Sequence, residues 1–429
     1  MINLIPFLFI YIFSSVANSQ ETGLTVQQSI DEALKKNPKL IIQRDEVESC
    51  KNDVIISAAS FFPKVKLKTG HQKQSKDSYA TSILSQQTNS PVERSENVYN
   101  IGAEIEQILY SGGYNLSDYR YKKKKLEIAQ RQLELDESSV ILEVKKLYYT
   151  ILQLKNNISV LVDALEFLQN HVKKVEAKVK ERVALKSDLL SAELQVLDGQ
   201  KNLIEARNSY NAASIQFCNL LGKENTPDIE LKGELTQPEY EINLDRSIED
   251  SINSNPEILI SQMELESANL SVEMAKSGMN RPQMKMVGNY NYTEDVWPPE
   301  ENDWSVGVGI EIPLFEGGKP YAQVKKAGLK SHQAETNLTY IKQKIVSNIR
   351  QSNYEFIRSK EALKVSSKLL EQAEENFRIC SLGYEGGTIP HERLLKSQNE
   401  LTSAKIGYYQ SLYDYNAAIA KFEFATAFK

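Results

Sequence analysis

Cysteine is almost missing from this 429-residue chain. The three present, Cys50, Cys218 and Cys380, are odd in number and far apart. That excludes a disulfide framework and a cysteine metal site, and the three read as packed thiols. Histidine is equally scarce: His71, His171, His332 and His391 are scattered, none in the HExxH spacing of a zinc protease. There is no GxSxG, no CxxC and no phosphate-cradling loop, and the glycines at 383–387 follow no strand and suit a helix–helix turn. No catalytic residue, metal ligand or cofactor can be nominated, and the chain reads as something other than an enzyme. Glycine and proline are sparse at 19 and 13, which favours long helices over frequent turns. The net charge of −6 is mild, so nothing points to nucleic acid. Beyond residue 19 no apolar run approaches the ~20 residues a membrane helix needs. A membrane, if crossed, must be crossed by strands.

The first segment lacks charge as well. Met1 to Ser19 holds no Lys, Arg, Asp or Glu, and Ile2 to Phe13 suits the apolar core of a signal peptide. Small residues at Ala17-Asn18-Ser19 precede a cut near Gln20, so residues 1–19 are expected to be the signal. The missing basic residue near the start leaves a short membrane anchor as the other reading. No Cys follows the apolar run, so no lipoprotein-type site is present.

What the chain does have is written twice. ALKKNPKL at 33–40 answers SINSNPEI at 251–258, and each copy then runs to a proline, Pro63 or Pro282. Tyr110-Ser111-Gly112-Gly113 matches Phe315-Glu316-Gly317-Gly318 at an offset of 317 − 112 = 205. The same offset carries Tyr149 onto Tyr354, Tyr210-Asn211-Ala212-Ala213 onto Tyr415-Asn416-Ala417-Ala418, and Phe217 onto Phe422. A constant offset over a long stretch means no net insertion in either copy. The expected organisation is one helix ahead of each β-hairpin, in a first repeat at 20–222 with its β-hairpin at 63–110 and a long helical hairpin at 117–221. A linker at 223–243 contains Pro227, Gly233 and Pro238. The second repeat, 244–429, has its β-hairpin at 282–315 and its helical hairpin at 319–428. The fold class is mainly α with a β part.

The strands alternate. Val306, Val308, Ile310, Ile312 and Leu314 stand against Ser305, Gly307, Gly309 and Glu311. In the second strand Tyr99, Ile101, Ala103 and Ile105 stand against Asn100, Gly102, Glu104 and Glu106, and the third places Met284, Met286, Tyr290 and Tyr292 on one face. The first is weaker, with Val65 and Leu67 among Lys64, Lys66 and Lys68. Such alternation over about ten residues marks a transmembrane β-barrel strand. Trp297 and Trp304 stand near a strand end, where an aromatic girdle lies, and the connections at 75–96 and 293–303 are polar. A soluble half-buried sheet is the competing reading. Four strands cannot close a barrel, and an open edge in lipid costs several kcal/mol for each unpaired backbone group. The chain must therefore associate, and three copies would supply ~12 strands.

The helices are heptad rods. Ile158, Leu161, Leu165, Leu168, Val172, Val175 and Val179 step by three and four, and the return helix repeats this through Leu189, Ala192, Val196, Leu203, Ala206, Tyr210, Ala213, Phe217 and Leu220. A helix from Ser117 to Val183 would be roughly 100 Å long, too long for a globular core. The second hairpin keeps the register with small residues, among them Ser366, Ala373, Ser397, Ala404, Ser411 and Ala418.

Together the duplicated architecture, Ala33-Leu34…Asn37-Pro38, Phe62-Pro63, the paired glycines after the second and fourth strands, and Gly383-Tyr384…Gly387-Thr388 resemble the TolC-like outer-membrane efflux proteins. The resemblance implies a homotrimer whose 12-stranded barrel, set in outer-membrane lipid, continues into a 12-helix tube across the periplasm of a Gram-negative bacterium. It also implies a periplasmic adaptor protein and an inner-membrane pump or ABC transporter, in drug or metal efflux or type I protein secretion. Adaptor docking falls on the two helical turns: Arg182, Val183, Ala184 and Leu185 at the first, Gly383, Gly386, Gly387 and Thr388 at the second. Tyr384 and Asp188 match gate residues of the best-known members. Ile389 stands where those members have Arg, and Arg393 and Lys396 where they have aspartates, so the latch and any acidic ring must differ. The first turn also lacks their glycine. Two readings of Arg393 and Lys396 remain open: a basic constriction brought together by symmetry, or two side chains pointing into water. The cluster Arg120, Lys122, Lys123, Lys124 and Lys125, with Lys319, Lys325, Lys326 and Lys330 in the other copy, is either a contact for anionic lipid heads or a solvated helix face. The rival from another class is a secreted or surface-attached coiled-coil structural or adhesive protein. It accounts for the heptads but not for strands duplicated at matching points.

Overall fold

A computed structural model of the chain describes residues 23–73, 96–223 and 230–426. The expected signal at 1–19, Pro227 and nearly all of the first hairpin's connection lie outside the described residues. The element order is α1 (Val26–Lys36), α2 (Pro38–Ala58), β1 (Lys64–Lys73), β2 (Asn97–Ser111), α3 (Tyr114–Lys180) and α4 (Lys186–Leu221), then α5 (Leu244–Ser254), α6 (Pro256–Ser277), β3 (Gln283–Glu294), β4 (Asn302–Glu311), α7 (Lys319–Glu385) and α8 (His391–Thr426). All four boundaries of α3 and α4 recur in α7 and α8 at the offset of 205. Ahead of the strands α1 and α2 recur in α5 and α6 at 218, so the first hairpin region is longer by 218 − 205 = 13 residues.

Several boundaries differ from expectation. The long helix begins at Tyr114 rather than Ser117 and ends at Lys180 rather than Val183. β4 stops at Glu311, so Ile312 and Leu314 lie beyond it. Pro313 has no N–H to donate and cannot continue a ladder. The single helix expected ahead of each hairpin is two. Asn37 and Asn255 adopt ψ of 124° and 125°, the extended conformation imposed on a residue before proline. Thr25 opens α1 by accepting from Gln28 N while the Gln28 side chain accepts from Thr25 N, a reciprocal cap. Asn243, 218 residues on, opens α5 by accepting from Arg246 N.

The described chain divides into two compact units. One is drawn from the described residues within Met1–Asn37, Val140–Tyr240 and Glu355–Lys421, the other from those within Pro38–Ser139, Glu241–Tyr354 and Phe422–Lys429. In the first unit Val144, Tyr148, Ile151, Phe217 and Leu221 form a buried core. The linker is tied to this core. Leu24 N donates to Glu230 O and Lys232 N to Leu24 O, both at 2.9 Å. The Tyr148 hydroxyl donates to the Lys232 carbonyl. Tyr415 Oη donates to Pro238 O at 2.8 Å and Asn416 Nδ2 to Thr236 O at 2.9 Å, so the repeated YNAA motif, in its second copy, fastens the linker.

The second unit carries one antiparallel sheet in the order β1-β2-β3-β4. Among the described residues β1 and β4 are its edges, each paired on one side only. No described helix is long and apolar enough to cross a membrane.

Candidate functional site

Side chains alternate across a strand, so the register assigns each residue of the sheet to a face. Val65, Leu67 and His71 lie opposite Ile105, Ala103 and Tyr99, while Tyr290, Gly288 and Met286 lie opposite Trp304, Val306 and Val308. With Ile101 and Tyr292, also paired, these make one apolar face. It is uncovered: Leu67 is 80% exposed, Val306 67%, Val308 58% and Ile310 63%. Soluble surfaces seldom carry so continuous an apolar patch. The aromatics on this face gather at the strand ends nearest the hairpin connections. Tyr99 stacks on His71 at 4.5 Å and meets Trp297 edge-on at 5.9 Å, and Tyr290 meets Tyr292 at 5.4 Å. A band of amphipathic rings at one level is what a lipid–water boundary selects.

The other face is polar. Lys66 reaches Glu104 and Glu106 at 3.7 Å, and Lys68 also pairs with Glu104. Asn289, Asn291 and Lys285 continue the face, opposite Ser305, Asp303 and Gly309. Near the helix end of the sheet a recess of about 870 Å³ is lined by polar Glu106, Gln283, Lys285 and Glu311 and by apolar Ile108, Met274, Met284 and Ile310. A bulge between Ile108 and Tyr110 resets β2 there, so Tyr110 lies opposite Met284.

The lysines below the sheet are partly neutralised. Lys122 donates to Asp53 at 2.7 Å, and Lys124 to Glu127 and Glu266 at 2.6 and 2.9 Å. Those carboxylates raise both lysine pKa values. A strong attraction for anionic lipid heads would therefore rest on the remaining members of the cluster.

In the first unit the two helical turns have the same construction. Val183 N donates to Lys178 O and Arg182 N to Val179 O; 205 residues on, Thr388 N donates to Gly383 O and Gly387 N to Tyr384 O. Both are Schellman caps, which place one residue in the left-handed region. Gly387 meets that demand at φ 74° and Arg182 at φ 64°. Arg182→Gly is expected to stabilise the first turn by ~1 kcal/mol, the usual left-handed penalty of a side chain. Slower amide exchange at 178–185 would register it; faster exchange would contradict it.

The docking candidates at the first turn are open to solvent, with Val183 74% and Leu185 69% exposed, and Arg182 is exposed beside them. Ala184 is half-buried. At the second turn Gly386, Gly387 and Thr388 are exposed, while Gly383 is half-buried with Ile389 packed over it. A Cβ on Gly383 would fall 2.6 Å from Ile389 Cδ1.

The gate candidates divide. Asp188 caps α4, its Oδ2 accepting from Leu185 N at 3.2 Å. Arg393 and Lys396 are exposed beside a polar depression of about 320 Å³ that also includes Glu392 and Glu400, and Lys396 lies 4.0 Å from Glu400. Tyr384 packs on the His171 ring at 5.4 Å, with Lys178 Nζ over its own ring at 4.2 Å.

His171 is what the sequence pattern passed over. The buried seam of α3 runs Asn157, Leu161, Ala164, Leu168, His171, Val175. It shares Leu161, Leu168 and Val175 with the expected row, but its other members stand one residue earlier than Ile158, Leu165 and Val172, which are half-buried. A polar residue cannot announce itself in an apolar periodicity, and its partner is 220 residues away. Only a search for histidines at seam-compatible steps would have raised it.

A family model described as "Outer membrane efflux protein" matches residues 29–223 and 247–426. Outer membrane protein TolC of Vibrio cholerae is 22% identical over 339 residues, 74% of this chain and 77% of that protein. Outer membrane efflux protein BepC of Brucella suis is 20% identical over 330 residues, 73% of this chain and 69% of its own length. The CmeC outer membrane channel of Campylobacter jejuni has the same fold, with a TM-score of 0.84 at 17% identity, over 94% of this chain and 85% of that one.

Proposed function

The chain belongs to the outer membrane efflux protein family, and on that premise we propose that it is one subunit of a trimeric channel-tunnel for solutes or proteins. It is an outer-membrane efflux protein that reaches into the periplasm. The observation that carries the channel reading is the two-faced sheet, apolar and uncovered on one side and charged on the other. A coiled-coil adhesin has no use for such a sheet.

Trimerisation is supported by the edges. The polar face of β1 carries Lys64, Lys66 and Lys68, and that of β4 carries Asp303 and Glu311. Edge strands of opposite sign suit β1 of one copy to β4 of the next, and closing the sheet removes unpaired backbone from lipid. A second unpartnered surface supports the same reading: Leu190, Leu194, Leu197 and Ile204 form an exposed heptad row on α4. The repeat boundaries 20–222 and 244–429, with 223–243 between, are proposed as the units that place two hairpins per chain in barrel and tube.

At the turns, exposed Val183 and Leu185, with Arg182, Ala184, Gly383, Gly386, Gly387 and Thr388, are proposed to receive a periplasmic adaptor joined to an inner-membrane pump or ABC transporter. Asp188, Tyr384, Arg393 and Lys396 are proposed as the gate region, with Arg393 and Lys396 of three copies forming a basic constriction. Planar-bilayer recording of the purified trimer tests both levels. Discrete channels are expected, and Arg393→Ala with Lys396→Ala should shift reversal potentials toward cation preference in a salt gradient. Unchanged selectivity would refute the basic ring; absence of channels would refute the function.

A further inference from the structure

Within the first unit, His171 on α3 and His391 at the start of α8 meet through His171 Nε2 and His391 Nδ1 at 2.7 Å. Their rings stack at 4.9 Å and 7°. His171 is 3% exposed, and His391 Nε2 is buried with no hydrogen-bond partner among the described residues. A contact of this length needs one N–H aimed at one lone pair. It survives with no extra proton, and it survives with one. A second extra proton puts two N–H groups and two positive charges face to face, with no water between to screen them.

We propose that His171 and His391 form a proton-released latch, holding the two helical hairpins together near their turns at neutral pH and letting them part on acidification. The latch itself rests on the hairpin geometry; its effect on conduction rests on the channel reading.

The surrounding charges fit. Around His171 stand His391 from α8, the Tyr384 ring from α7, and Lys174 and Lys178 from α3 itself. Lys174 is 3.6 Å from Glu385 on α7. Around His391 stand Asp188 from α4 and its neighbour Glu392, which favour its charge, and Lys178, which opposes it. His391 is also the first residue of α8, where the positive end of the helix dipole disfavours a cation. Burial, then His391 and the two lysines, push the His171 pKa down to about 4 from an ordinary 6.5. Burial lowers His391 in the same direction.

The sign follows by linkage. A histidine whose pKa is depressed in the closed arrangement binds fewer protons there than when exposed, so acid favours the open arrangement. Above 6.5 both arrangements are neutral and nothing is lost. Between 6.5 and 4 the closed arrangement loses ground steadily. For His171 alone the open-to-closed ratio rises about thirtyfold between pH 7.5 and pH 5.

Hydrogen exchange of the full-length trimer in detergent, corrected for intrinsic rates, reads this without requiring a channel. Peptides covering 384–396 are expected to lose about thirtyfold protection at pH 5 relative to pH 7.5. His171→Gln keeps a neutral hydrogen-bonding group and should reduce the loss to less than threefold. His171→Leu, which fills the buried position without a titrating ring, serves if the first variant does not fold. Equal protection of the parent at both pH values overturns the latch, as does a loss undiminished in the variants. In bilayers the parent should conduct more at pH 5 and His171→Gln should not; channels at pH 7.5 with no acid response remove the latch from gating. No channels at pH 7.5 would refute the channel reading while the exchange result still decides the latch.

Discussion

Arginine at both Val306 and Val308 is expected to keep the protein out of the outer membrane. Both side chains lie on the exposed apolar face of β4, opposite Gly288 and Met286. Each arginine on a lipid-facing barrel position near the midplane costs ~2–4 kcal/mol, and a trimer would bear six. Losses of that size exceed what a marginally stable barrel can absorb. The comparison that gives the result its meaning is Ser305→Arg. Ser305 is adjacent in sequence but lies on the polar face, opposite Asn289. That variant should fractionate with the outer membrane and retain the heat-dependent gel shift of a folded barrel. If Ser305→Arg is excluded as completely as the double variant, the assignment of faces is wrong. If Val306→Arg with Val308→Arg inserts normally, the apolar face meets protein rather than lipid.

Gly222→Ala should cost about 3 kcal/mol, far more than alanine at another left-handed glycine. Gly222 closes α4 at φ 66°, with Lys223 N donating to Cys218 O. A Cβ there would lie 2.4 Å from the Lys36 carbonyl oxygen and 2.9 Å from its carbon. Those atoms belong to the last turn of α1, where Asn37 Nδ2 donates to Leu220 O at 2.8 Å. Backbone cannot step aside as a side chain can, so the Asn37 contact should weaken along with the cap. Gly387→Ala supplies the scale. Gly387 is also left-handed, at φ 74°, but a Cβ there meets nothing within 4 Å. It should lose only ~1 kcal/mol, the conformational share. Urea midpoints followed by helical circular dichroism compare the two, and equal losses would show that the approach of Lys36 is unimportant.

Much of this protein was settled by local chemistry that a sequence displays. The duplication and its offset of 205 are carried by Gly pairs, YNAA and heptads, and all four ends of the long helices recur at that offset. The break at Asn-Pro follows from what proline forbids its predecessor. The two faces of the sheet follow from alternation once strands are recognised, and even the second turn's geometry is implied by Gly387. Tertiary structure decided what depends on partners remote in sequence. It selected which of two overlapping heptad rows in α3 is covered, because covering depends on the neighbouring helix and not on the row's own apolarity. It turned the linker from a connection into a strap by giving Tyr415 and Asn416 the carbonyls of Pro238 and Thr236. It put Arg182 into a conformation that glycine normally fills, because the cap's hydrogen bonds demand it. And it brought together His171 and His391, two unremarkable residues whose meaning lies in a 2.7 Å contact made without water.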